Sequence, residues 1–108
     1  MDREISLGGG ARIVVRGMDG DGSVVNADVE LIASDGTRWA ATVLTLGEIA
    51  RLMDAYRESG ECRSGAFFRV PDLLILGTGT VDALVDVFRE LVRTGEYRDE
   101  LVELGTGL

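Results

Sequence analysis

Histidine and lysine are absent from this chain, cysteine and proline occur once each, at Cys62 and Pro71, and aromatic residues make up 6%. Each gap removes a kind of chemistry. Without histidine, the commonest general base, triad partner and metal ligand is missing. A single cysteine forms no intrachain disulfide and no thiolate zinc site, and it fits a reducing, cytoplasmic setting. Without lysine, Schiff-base catalysis and the phosphate-gripping lysine of a P-loop are excluded. The longest uninterrupted apolar run, Leu73-Leu74-Ile75-Leu76, is far short of a membrane span. No apolar core of a signal peptide follows Met1-Asp2-Arg3-Glu4. No cofactor or metal is expected.

What is present describes an ordinary folding domain. The 108 residues fit one domain over 1–108, with 1–10 and 96–108 expected as loosely ordered tails. Surface scaling leaves roughly 65% of the unfolded chain's area buried on folding, enough for a core without staples. Eleven arginines face 19 acids, a net charge of −8. That balance repels nucleic acid and anionic lipid and favours a basic protein partner. It also keeps a small domain dispersed, which is its plainer role.

The hydrophobic pattern predicts elements in the order β-β-β-α-β-β-α. Arg12 to Arg16 alternates as a strand, and a polar Gly/Asp loop from Gly17 to Ser23 follows. Val25, Ala27, Val29, Leu31 and Ala33 then share one face, with Asn26, Asp28 and Glu30 on the other. A three-residue loop Ser34-Asp35-Gly36 pairs Ala33 with Thr37, and so Leu31 with Trp39, Val29 with Ala41 and Ala27 with Val43. A two-residue loop would turn Trp39 onto the Asp28/Glu30 face. Thr45-Leu46-Gly47-Glu48 is a capping box, opening a helix with Leu46, Ile49, Leu52, Met53 and Tyr56 on one side and Gly60 as its stop.

Ala66 to Val70 is expected as a strand, separated by Pro71 from an all-apolar one, Asp72 to Leu76, covered on both faces. A second helix runs from about Val81 to Thr94, with Leu84, Val85, Phe88, Leu91 and Val92 inward. The sum is an α+β fold: an antiparallel sheet of about five strands with two helices on one face.

Candidate sites are few. Gly77-Thr78-Gly79-Thr80, between a strand and a helix, outlines an anion or nucleotide site. Asp82, however, stands where a dinucleotide fingerprint needs its third glycine, and the plainer reading is a turn with a threonine cap. Asp19-Gly20-Asp21-Gly22-Ser23 spaces oxygen ligands like a calcium loop, but Val24 occupies the place of the obligatory glycine, which leaves a hairpin loop. Cys62, beside Arg63 and Glu61, is read as an incidental thiol. The pairs Asp82/Asp86 and Asp54/Glu58 belong to solvated helix faces.

All-arginine usage with abundant Ala, Gly, Val and Asp suggests a GC-rich bacterial genome. From Asp35 to about Thr94 the chain resembles a group of short hypothetical proteins from such bacteria. The resemblance is carried by Asp35-Gly36-Thr37-Arg38-Trp39, Thr45 to Met53, Ser59-Gly60-Glu61-Cys62, Phe67-Phe68 and Asp72-Leu73. That group has no established activity, so no catalytic residue is carried over. In size, acidity and lack of catalytic equipment the chain is also similar to bacterial immunity proteins. The leading expectation is a non-enzymatic binding protein of immunity or inhibitor type, or an accessory subunit. It would present Asp28, Glu30, Glu96, Asp99, Glu100 and Glu103 to a basic partner. The alternatives are anion binding at Gly77–Thr80 and a homo-oligomer, a homodimer being the simplest.

Overall fold

The hairpin around Asp35 sets the register of the whole sheet. In the computed structural model, which describes residues 2–106, strands β3 (Asn26–Ile32) and β4 (Thr37–Thr45) pair antiparallel. Leu31 lies opposite Trp39, Val29 opposite Ala41, and Ala27 opposite Val43, as the three-residue loop requires. Gly36 takes φ 85°, which a side chain would oppose. The Asp35 carboxylate accepts from the Thr37 amide at 3.0 Å and the Thr37 hydroxyl at 2.6 Å. Those bonds, the hydroxyl's foremost, hold its pKa below the usual carboxylate range.

The fold is α+β. Strands β1 (Asp2–Gly8) and β2 (Ala11–Arg16) extend the meander beyond β3, giving the order β1-β2-β3-β4. The far edge of β4 is shared end to end. Strand β5 (Leu73–Leu76) runs parallel to its second half, and β6 (Val102–Thr106) runs antiparallel to its first half. Among the described residues there are thus six strands, one pair of them parallel. Segments 2–8 and 102–106, expected as loose tails, are strands, because each finds an open edge whose backbone groups need partners. Ala66–Val70 forms no strand. Its Phe68 instead stacks on Tyr56, with ring centroids 6.3 Å apart.

Helix α1 (Leu46–Ser59) is followed by α2 (Glu61–Gly65), a single turn in which Cys62, Arg63 and Ser64 have φ of 47°, 50° and 58°. Helix α3 (Val81–Thr94) and the short α4 (Tyr97–Glu100) lie between β5 and β6. The core joins one sheet face, with Ile13, Val15, Val29, Leu31, Trp39 and Val43, to Leu84, Val85, Phe88 and Leu91 of α3. Tyr97 and Leu101 close it at the C-terminal end, where Tyr97 meets Trp39 edge to face at 5.2 Å. Helix α1 adds no side chain to that cluster. Only Glu48 is buried on it, while Ile49, Leu52, Met53 and Tyr56 are half-buried. Among the described residues no helix is long and apolar enough to cross a membrane.

The capping box forms by one arm only. The Thr45 hydroxyl accepts from the Glu48 amide at 3.2 Å. The reciprocal bond is absent because the Thr45 amide, at the end of β4, donates to the Val25 carbonyl at 3.1 Å. Glu48 therefore turns to Asn26, which donates to it at 3.1 Å, and to Arg51 at 2.7 and 2.8 Å. Arg51, and secondarily Asn26, hold its pKa low.

Candidate functional site

Alternation along the strands sends Asp2, Glu4, Asp28 and Glu30 to the sheet face opposite α3, together with Arg12, Arg16 and Arg38. Four acids against three arginines leave that face close to neutral. Arg12 pairs with Glu4 at 2.9 Å, Arg16 lies 3.9 Å from Asp2, and Arg38 pairs with Glu30. Glu30 was expected as an exposed binding residue, and the structure removes it from the surface. Its strand partner is the small Ala40. Arg38, two residues back along β4, reaches across that gap to donate to it at 2.9 Å, leaving Glu30 7% exposed. Asp28 is exposed, set between Arg16 and Thr42 in register.

The acids of the C-terminal segment behave differently. Glu96, Asp99, Glu100 and Glu103 are all exposed. Among the described residues none of the four is in an ion pair, although Glu96 is near enough to Arg93 to help raise that arginine's pKa. The only cation within the segment, Arg98, lies over the Tyr97 ring at 4.8 Å. Glu96, Asp99, Glu100 and Glu103 thus lie exposed within one short segment, while Asp28 stands on the neutralised sheet face.

The turn Gly77-Thr78-Gly79-Thr80 takes its form from packing. Thr80 caps α3, its hydroxyl accepting from the Ala83 amide at 3.2 Å. The Gly79 carbonyl accepts from the Val24 amide at 3.0 Å, and a Cβ on Gly79 would lie 2.9 Å from the Val24 carbonyl oxygen. Glycine is needed there for the approach of two backbones. The adjoining cleft, about 280 Å³, is lined by Asp21, Gly22, Ser23, Gly79, Thr80, Val81 and Asp82. Its two carboxylates oppose an anion at this helix end.

The loop from Asp19 to Ser23 uses its oxygens internally. The Ser23 hydroxyl lies 3.0 Å from the Asp19 carboxylate and 2.7 Å from that of Asp21, and the Ser23 amide donates to Asp21 at 2.9 Å. That backbone bond, with the hydroxyl's, keeps the pKa of Asp21 low. Among the described residues no group of three or more Cys, Asp or Glu is arranged to hold a metal ion. Cys62 is a half-buried free thiol in the left-handed turn. A larger cleft of about 490 Å³ between β1 and α3 sets Arg3 and Arg89 against Asp82 and Asp86 over Ile5, Val81 and Val85, so opposite charges balance within it.

One surface went unnoticed in the sequence. Val102 and Leu104 are 45% and 47% exposed and Ile75 52%. The all-apolar run Leu73–Leu76 was expected to be covered on both faces; only Leu76 is buried. The run was itself the signal, read as a central strand although it lies at an edge.

No protein-family model, no curated protein and no solved structure matches the chain.

Proposed function

We propose that this chain is a protein-binding module without chemistry of its own, acting as an immunity or inhibitor protein, or as an accessory subunit, by covering a basic surface of its partner. One observation carries the reading: four exposed acids, Glu96, Asp99, Glu100 and Glu103, sit in one short segment with no ion pair among the described residues. The acids of the sheet face are by contrast offset by arginines. Unpaired carboxylates on a chain of charge −8 draw a basic partner in and raise its on-rate. Inhibition then follows from occupancy, since no nucleophile–base pair is required of the binder.

The test begins with affinity capture from the host and continues with purified partner. The expected result is an on-rate that falls steeply with salt. It is also expected to fall about tenfold or more when Glu96, Asp99, Glu100 and Glu103 are changed together to Gln or Asn. Wild-type kinetics in that variant, or binding indifferent to salt, rejects the reading. So does turnover of a metabolite by the purified protein that is lost on changing one carboxylate or Cys62.

A further inference from the structure

On the helices, an acid three residues before an arginine closes into an ion pair at Glu48–Arg51, Asp54–Arg57 and Glu90–Arg93. Asp86 and Arg89 have the same spacing on α3, yet among the described residues they form no ion pair. Arg89 is committed elsewhere, its Nε donating to the Leu7 carbonyl of β1 at 3.3 Å. Arg3 is the matching case on the sheet. Arg12 and Arg16 pair with acids on the face opposite α3. Arg3 instead shares the α3 side with Ile5, and among the described residues no acid pairs with it. These groups meet in the cleft of about 490 Å³ between β1 and α3, where Asp82 also stands exposed. The floor between them is apolar. Ile5 and Val81 are half-buried against the core, and Val85 is buried.

We propose that this cleft binds a small zwitterion, an α-amino acid with an aliphatic side chain. Arg3 and Arg89 hold its carboxylate, Asp82 and Asp86 its ammonium, and its side chain lies on Ile5, Val81 and Val85. The charge pattern selects that class. A simple anion meets two aspartates and a chain of charge −8, and a simple cation meets two guanidinium groups. A molecule with both signs on neighbouring atoms answers both sets through charge-assisted hydrogen bonds and carries no net charge to be repelled. The cleft's volume falls within the usual range for small-molecule sites, about 300–1,000 Å³, and an apolar floor with a few charged groups is their usual make-up. The site uses none of Glu96, Asp99, Glu100 and Glu103, so it stands or falls separately from capture of a basic protein.

Titration of the isotope-labelled full chain with L-leucine, followed by amide chemical shifts, tests this. The expected result is a saturating change confined to β1 and the first half of α3. Isoamylamine, which lacks the carboxylate, and isocaproate, which lacks the amine, should each bind about tenfold more weakly or worse, the loss of a charged bond. Glycine, without a side chain for the floor, should also bind more weakly. Arg3→Gln and Asp86→Asn should each weaken leucine about tenfold, while Glu103→Gln leaves it unchanged. If either variant fails to fold by thermal melt, the comparison of leucine with its two half-ligands on the wild-type chain decides alone. No saturable change up to the solubility limit of leucine overturns the proposal. So does equal binding of isocaproate or isoamylamine, or full affinity in folded Arg3→Gln and Asp86→Asn.

Discussion

Glu48 and Glu30 are acids of one sequence type with separate tasks. Glu48 ties the first turn of α1 to β3 through Asn26, and its pKa is held low chiefly by Arg51. A carboxylate whose folded pKa is depressed stabilises the protein above its unfolded pKa, and that contribution is lost as pH falls through the folded value. Glu48→Gln should therefore cost about 1 kcal/mol near neutrality, the worth of a charged bond to a largely exposed arginine. Its stability should converge on wild type below the ordinary glutamate range. Urea melts over a pH series measure this, and a gap that stays constant into acid would refute the assignment. Gly79→Ala is a sharper case, because the added methyl meets the Val24 carbonyl at 2.9 Å. Backbone on both sides cannot yield cheaply, so a loss of about 1–3 kcal/mol is expected in thermal unfolding.

Elements differ in how far their own residues determine them. The β3–β4 register was legible because Ser34-Asp35-Gly36 fixes the loop and a one-residue slip would invert every side chain. Helix α3 was legible because its apolar arc is wide and its cap, Thr80, is local. Thr80→Ala should cost about 1 kcal/mol in a denaturant melt, and Thr78→Ala close to nothing. Strand β1 was not legible as a strand: Arg3 shares the face of Ile5 and Leu7, and only the open side of β2 makes the segment pair. Ala66–Val70 has strand composition but follows three left-handed residues and spends Phe68 on Tyr56. Within the candidate site, the exposure of Asp28 followed from alternation alone. The burial of Glu30 depends on Arg38 reaching diagonally across a small neighbour, a contact that exists only once the strands pair.

For the whole molecule, the C-terminal segment is both surface and core. Tyr97 and Leu101 are 5% and 6% exposed and close the cluster over Trp39, while the acids between and beside them face solvent. Ending the chain after Gly95 removes two buried side chains, each worth about 1.5–3 kcal/mol. The shortened protein should lose several kcal/mol of stability and show red-shifted emission from Trp39, its sole tryptophan. An unshifted spectrum would mean that α4 and β6 do not cover the ring.

The divided flank of β4 also bears on how the molecule is made. Its first half waits for a strand translated more than sixty positions later. Pairings so distant in sequence close slowly, and during synthesis that flank stays bare until β6 has emerged. The sheet is thereby completed late, and a nascent chain stalled before Val102 would present Thr37–Ala40 to whatever chaperone or neighbouring strand is at hand.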